Sequence, residues 1–264
     1  MSASQQQGLH SIVSHSHVNN IALTSYSETR SVSVVTYAEL FQRVQTASQL
    51  IQSRGIQEDQ LVGIVTDMTG EFCVSVLAAL ATTCSFVYID PTLPKQRIRE
   101  MLLKLCPAVL MIQNDFLELC GWVKDFCGSV LAISPDFSCK LTLANPSFAA
   151  NSYPNIEYVM FTSGSTYHPE SVRVPRKCAY DNVQSIGERL QITPSDRCVL
   201  ASPGSFDPCI VEMFAAWNAG ASLHAFPMSA HRSPEKLVRL MQLIKPTVLQ
   251  CSPSLLYMMA SCTC

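Results

Sequence analysis

Short apolar runs alternate with amphipathic segments along most of the chain, and this alternation is the strongest constraint on its fold. The runs predicted as strands include Leu61–Val65, Ser85–Ile89, Ala108–Ile112 and Val130–Ile133, and none of them contains a charged residue. Helical segments such as 70–83 separate them. Uncharged strands between helices are typical of a parallel sheet that is covered on both faces. We therefore expect an α/β fold made of two doubly wound parallel-sheet subdomains.

The length of 264 residues allows one large domain or two smaller ones. Residues 1–20, rich in Ser, Gln and His, are predicted to be a loose N-terminal tail or an incomplete first helix. Residues 134–154, rich in Ser, Asn, Pro and Ala, are the best candidate for a linker. The expected subdomains therefore cover about 32–150 and 155–264.

Local signals place several helix boundaries. Thr36 and Glu39 form a capping-box pattern after a predicted strand at Val32–Val35, so a helix is expected to begin there. In the second half, a helix is expected over Pro208–Ala219 and a final strand over Thr247–Cys251.

Composition and charge exclude several classes of function. The formal net charge is -2, 48% of residues are hydrophobic and 14% are charged, so no basic surface favours nucleic acid or an acidic membrane. The 12 cysteines include no CxxC pair, which favours free thiols in a reducing compartment and no metal site. The N-terminus lacks a basic start and a long apolar core, so we expect a cytoplasmic protein.

The segment Phe161–Pro175 is the main candidate for a binding loop. It places the small residues Thr162, Ser163, Gly164, Ser165 and Thr166 directly after a predicted strand at Ile156–Met160. Hydroxyl groups around a glycine allow a tight turn whose N–H and O–H donors converge, as a phosphate group requires. The alternative is an ordinary Ser/Thr/Gly loop.

Four stretches, taken in this order, resemble the adenylate-forming superfamily of acyl-CoA synthetases, luciferases and peptide-synthetase adenylation domains. They are Thr36–Leu40, Leu80–Pro91, Thr162–Pro169, and Phe206-Asp207 with Glu212-Met213-Phe214. The resemblance extends from about residue 21 to residue 264 and implies the N-terminal part of an adenylate-forming domain. Val172–Pro175, Ala201–Pro203 and Gly220–Leu223 resemble the branch that activates beta-alanine.

The resemblance implies ATP-dependent activation of an amino acid or other carboxylic acid as an adenylate, with Mg²⁺, followed by thioester transfer to a phosphopantetheine carrier. Residues 162–166 fall on the loop that embraces the ATP phosphates. Asp207 falls where amino-acid-activating members hold the substrate ammonium, which a carboxylate does well. The alternative role for Asp207 is a helix N-cap before Pro208. No catalytic residue or metal ligand is assigned.

The sequence departs from the family pattern in two ways. Glu170 stands where the family loop carries a lysine, so a repulsion replaces an attraction to the ATP phosphates. Two unit charges about 5 Å apart, at an effective dielectric constant near 20, interact by roughly 3 kcal/mol. We therefore expect weaker ATP binding. The C-terminal motifs of the family are also not found, so we expect weak or no catalysis from this chain. Two alternatives remain open, namely a non-catalytic remnant or splice product that acts as a binding module, and a fatty-acyl-CoA ligase fragment.

Overall fold

The computed structural model describes residues 8–13, 17–27, 31–134, 136, 138–145, 147–162 and 170–262. The strands are β1 (Ile21–Tyr26), β2 (Val32–Thr36), β3 (Leu61–Val65), β4 (Ser85–Tyr88), β5 (Val109–Gln113), β6 (Ser129–Ile133), β7 (Cys139–Ala144), β8 (Ile156–Phe161), β9 (Ser171–Pro175), β10 (Arg197–Val199) and β11 (Ser222–Ala225). The helices are α1 (Tyr37–Gln52), α2 (Gly70–Ala81), α3 (Lys95–Leu105), α4 (Cys120–Val123), α5 (Arg176–Leu190), α6 (Pro208–Asn218), α7 (Met228–His231), α8 (Pro234–Ile244) and α9 (Pro253–Ser261).

The chain forms two compact units. The first contains residues 1–11, 41–67 and 71–181, and the second contains residues 12–40, 68–70 and 182–264. Neither unit is continuous in sequence, because the hairpin β1–β2 belongs to the second unit although it precedes most of the first.

The first unit is built on a seven-stranded sheet with the order β7-β6-β5-β3-β4-β8-β9. Its inner pairs are parallel, and the edge strands β7 and β9 are antiparallel to their neighbours. All residues of β3, β4, β5 and β6 are buried. This explains why these strands were predictable as uncharged apolar runs.

The core of this unit includes one face of α3 packed on the sheet. Ile98, Met101, Leu102 and Leu105 of α3 share a buried cluster with residues of β3, β5 and β6. Trp122 of α4 packs against the same cluster from a partly buried position. The spacing of three and four residues along α3 places these side chains on one helix face.

The second unit is built on a four-stranded sheet with the order β10-β11-β1-β2. The pairs β10–β11 and β11–β1 are parallel, and β1–β2 is antiparallel. Trp217 of α6 is fully buried, packs edge-to-face on Phe214 with ring centroids 5.6 Å apart, and donates its indole N–H to the Ala22 carbonyl at 3.0 Å. The α/β prediction with parallel sheets is confirmed for both units.

Three local predictions differ from the structure. The candidate linker 134–154 contains β7, which pairs with β6, and the candidate loop Phe161–Pro175 contains β9, which pairs with β8. The expected strand Thr247–Cys251 forms only an isolated bridge between Val248 and Cys198. Edge strands pair on one side only, so they do not need the uncharged pattern of a central strand.

Within the stretch predicted as a loose tail, Leu9 is fully buried in the first unit. Its N–H donates to the carboxylate of Glu157, which Arg176 approaches at 3.6 Å. Arg176 also donates to Asp59 at 2.8 Å, so one guanidinium joins two acidic side chains. Burial raises the pKa of Glu157 to about 7, against the opposing effects of the Leu9 N–H and Arg176.

Within the described ranges, no helix has both the length and the apolarity needed to cross a membrane.

Candidate adenylation site

The described part of the candidate phosphate loop is its base. Thr162 follows β8 and donates its backbone N–H to the Glu170 carbonyl at 3.0 Å, next to the last β8–β9 pair, Phe161 with Ser171. Residues 163–169 lie outside the described residues, so the predictions for Ser163, Gly164, Ser165 and Thr166 remain predictions. The antiparallel pair holds the two ends of the loop together at the C-terminal end of a parallel strand, which is where ligand sites lie in open α/β sheets.

Glu170 is paired with a lysine of the same unit. The Lys104 Nζ of α3 lies 3.1 Å from the Glu170 Oε2, and both side chains are well exposed, at 40% and 63%. An exposed pair of this kind contributes only about 0–1 kcal/mol to stability. It nevertheless places a cation beside the carboxylate that replaces the lysine of the family loop, a contact that the sequence did not predict.

The described residues show no site for a metal ion. Among them, no three His, Cys, Asp or Glu side chains lie close enough together to hold one. The Mg²⁺ implied by the family resemblance therefore stays a prediction.

Asp207 lies at the N-terminus of α6 in the second unit. It occupies the N-cap position with φ -48° and ψ -37°, Pro208 is the first helical residue, and the Asp207 side chain makes no capping hydrogen bond. The side chain is exposed. Asp207 therefore stands at the N-cap position, but its side chain does not cap the helix by a hydrogen bond. The carboxylate remains available to a cation near the positive end of the helix dipole.

An open cavity of about 330 Å³ lies beside Asp207 in the second unit. Phe206 and Pro208, the residues on either side of Asp207, line it, whereas Asp207 itself does not. The described residues that line it are Ala201, Ser202, Pro203, Phe206, Pro208, Gln250, Cys251, Ser252 and Leu255. The volume is within the usual range of small-molecule sites.

Glu212 fixes one wall of this cavity. Its buried carboxylate accepts hydrogen bonds from the N–H groups of Ala201 at 2.9 Å and Ser202 at 3.0 Å, and from the Ser202 hydroxyl at 2.6 Å. Burial raises the pKa of Glu212 to about 7, and the three hydrogen bonds oppose this rise. The sequence pointed to Glu212 only as part of a motif; its contact with the cavity wall requires the fold.

The second wall, residues 250–252, was missed as a site by sequence reasoning. Ser252 caps α9 by accepting the Leu255 N–H at 3.2 Å, and this cap fixes where the chain turns into the helix. The sequence signal was an apolar stretch at 247–251 followed by a helix start. Because such a junction is a usual place for ligand contacts in α/β proteins, this signal could have been used.

The described geometry therefore separates into two parts. Thr162 and the ion pair of Glu170 belong to the first unit, whereas Asp207, Glu212 and the cavity belong to the second. The second-unit group combines an available carboxylate with a mainly apolar cavity. Such an arrangement can bind a small molecule that carries a cationic group and an uncharged part.

Sequence comparison identifies relatives among known proteins. Tyrocidine synthase 3 of Brevibacillus parabrevis is 26% identical over 229 residues, covering 87% of this chain and 4% of the relative. The beta-alanine-activating enzyme of Drosophila melanogaster is 27% identical over 233 residues, covering 84% of this chain and 23% of the relative. The chain thus spans less than a quarter of each of these relatives.

A solved structure of a four-domain nonribosomal peptide synthetase bound to AMP and glycine has the same fold. Its TM-score is 0.72 at 23% sequence identity, and the match covers 92% of this chain and 17% of that one. The model of the family described as AMP-binding enzyme matches residues 13–263. The chain therefore belongs to the AMP-binding enzyme family.

Proposed function

We propose that this chain provides the substrate-binding part of a ligase that activates an amino acid as an aminoacyl adenylate. The observation that carries the proposal is the exposed Asp207 carboxylate, which is not used for helix capping and lies between two residues that line an apolar cavity. The family membership and the names of the relatives support it.

In this proposal, the Asp207 carboxylate binds the substrate ammonium and the cavity receives the rest of the molecule. A charge-assisted hydrogen bond between the two groups selects amino acids over acids that lack the amine. The alternative of a fatty-acyl substrate is less favourable, because Asp207 would then lie beside the acyl chain without a cation. The Drosophila relative makes beta-alanine one candidate substrate.

The nucleotide and the acceptor are also part of the proposal. ATP is the cosubstrate, with Thr162 and the loop that follows it at the phosphates, and a phosphopantetheine carrier is the acceptor of the activated acid. The solved relative bound to AMP and glycine supports the nucleotide. A cytoplasmic location is proposed with it.

A binding module without catalysis is the second candidate. One observation favours it: the Glu170 carboxylate lies at the base of the loop. This carboxylate repels a phosphate group even though it is paired with Lys104. In this candidate the second unit still binds a small molecule, but no adenylate forms.

The role of Asp207 can be tested by ligand-observed NMR titration of the 264-residue chain. Beta-alanine and its deamino analogue propanoate are compared, as are L-phenylalanine and 3-phenylpropanoate. Asp207→Asn is expected to weaken binding of the amino acids about tenfold, because a hydrogen bond to a charged group is worth roughly 1.5–3 kcal/mol, and to leave the deamino acids unchanged.

The control is Asp181→Asn, the same change at an exposed aspartate of α5 whose partner is Lys177. It is expected to leave all four affinities unchanged. Equal weakening of amino and deamino acids by Asp207→Asn would contradict the proposed role. Pyrophosphate exchange that depends on the amino acid then separates activation from binding alone.

A further inference from the structure

The cavity beside Asp207 has a distinct chemical character. Nine residues of the described ranges line it and none of these is charged, and five of them, Ala201, Pro203, Phe206, Pro208 and Leu255, present apolar side chains. A charged group that enters such a cavity loses hydration without gaining a partner of opposite charge. The cavity therefore favours an uncharged ligand group.

The few polar side chains of the lining are mostly engaged. The Ser202 hydroxyl donates to Glu212 at 2.6 Å, and the Ser252 hydroxyl accepts the Leu255 N–H at 3.2 Å. The Gln250 amide and the Cys251 thiol are the remaining polar groups, and both belong to the second wall. Burial and the nearby Glu212 raise the pKa of Cys251, so this thiol is neutral. The polar capacity of the cavity is thus small and uncharged.

The size of the cavity is the second argument. A water molecule takes up about 30 Å³ in the liquid, so the six heavy atoms of beta-alanine correspond to at most ~180 Å³. The cavity of about 330 Å³ is nearly twice as large. Beta-alanine would thus leave much of the apolar wall in contact with water, and that contact is unfavourable.

We infer that the substrate of this site is an amino acid with a large, uncharged, mainly apolar side chain rather than beta-alanine, and this inference rests on the proposed function. The ammonium of this substrate binds to Asp207, and its side chain fills the space between Phe206 and Cys251. A side chain of aromatic size buries the apolar lining, and Gln250 can accept or donate one hydrogen bond at the far wall.

The test is equilibrium binding of L-phenylalanine, L-glutamate and beta-alanine to the 264-residue chain by ligand-observed NMR. L-Phenylalanine is expected to bind at least about tenfold more tightly than the other two, because it buries the apolar wall. Equal or tighter binding of beta-alanine would overturn this inference and leave the proposed function in place. If a folded chain binds no amino acid, both fail.

A pair of matched variants locates the effect. Cys251→Phe fills the cavity and is expected to weaken L-phenylalanine binding at least about fivefold while changing beta-alanine binding less than about twofold. Cys262→Phe makes the same change at an exposed cysteine outside the cavity and is expected to change neither. Circular dichroism confirms that both variants fold. An unchanged L-phenylalanine affinity in Cys251→Phe would overturn the assignment of its side chain to this cavity.

Discussion

At the residue scale, Glu170 shows how a neighbouring side chain changes a charge argument. From sequence alone, a carboxylate in place of the lysine predicts that an ATP phosphate is repelled. The repulsion is roughly 3 kcal/mol for each pair of unit charges about 5 Å apart. In the structure, Lys104 lies 3.1 Å from it, and the two opposite charges largely cancel at longer range. The repulsion felt by a phosphate is therefore smaller than the sequence suggests, although no attraction replaces that of the missing lysine.

This pairing predicts opposite effects for its two members. Lys104→Gln leaves Glu170 unpaired and is expected to weaken ATP binding about two- to fivefold, whereas Glu170→Gln is expected to strengthen it by a similar factor. Titration of a fluorescent ATP analogue at low and high salt measures both effects, which should shrink as salt rises.

Lys95→Gln is the matched control, because it removes the same charge from an exposed position on the same helix, α3. If Lys95→Gln and Lys104→Gln weaken binding equally, only the net charge matters and the pairing with Glu170 has no specific role. If the wild-type chain and both Glu170 and Lys104 variants bind no ATP, the prediction is wrong and the non-catalytic candidate gains support.

At the element scale, the start of α1 was predictable and its contacts are those that the motif implies. The Thr36 N–H donates to the Glu39 carboxylate at 2.8 Å, and the Glu39 N–H donates to the Thr36 hydroxyl at 3.3 Å. The two bonds satisfy donors that a helix start otherwise leaves free. A local motif of four residues is sufficient here because both partners lie in one turn.

Loss of this capping box should destabilise the chain. Thr36→Ala is expected to lower the free energy of unfolding by about 1 kcal/mol, as N-cap removal usually does. Thr46→Ala is the control within the same helix, where the hydroxyl only donates to the Gln42 carbonyl and alanine has the higher helix propensity, so no loss is expected. Urea unfolding measures both variants. A loss as large for Thr46→Ala as for Thr36→Ala would show that capping is not the cause.

Elements that depend on distant partners were harder to predict. The buried strands β3 to β6 were located to within a residue or so, because parallel central strands require uncharged runs. The edge strand β7 was missed within a polar segment, since its pairing with β6 provides what its own sequence does not indicate. The candidate site divides in the same way. Asp207 followed from a motif, whereas the cavity joins residues 201–208 to residues 250–255, about 45 positions apart.

At the scale of the whole molecule, each unit contains a buried carboxylic acid with a raised pKa. Burial raises the pKa of Glu157 in the first unit and of Glu212 in the second from 4.5 to about 7. An acid whose pKa is higher in the folded state contributes stability that is fully present below pH 4.5 and is lost as the pH rises to about 7. The loss is on the order of 3 kcal/mol for each group.

We expect Glu157→Gln and Glu212→Gln each to abolish the loss of unfolding free energy that the replaced carboxyl group causes as the pH rises. Relative to wild type, each variant should become more stable by on the order of 3 kcal/mol as the pH rises from 5 to 8, and the double variant should show the sum, because the two groups share no partner. Urea unfolding at several pH values gives these differences. The exposed Glu188→Gln on α5 serves as control for the loss of a surface carboxylate. A pH-independent difference for Glu212→Gln would contradict the raised pKa.

The burial of Trp217 has an optical consequence. The chain has two tryptophans, and one lies in each unit, Trp122 in the first and Trp217 in the second. A single-tryptophan version of the chain would therefore emit from one unit alone. Because the Trp217 indole is fully buried against Phe214, its emission moves to longer wavelength only when the core of the second unit opens to water. The two fluorophores can thus report whether the units melt together or in turn.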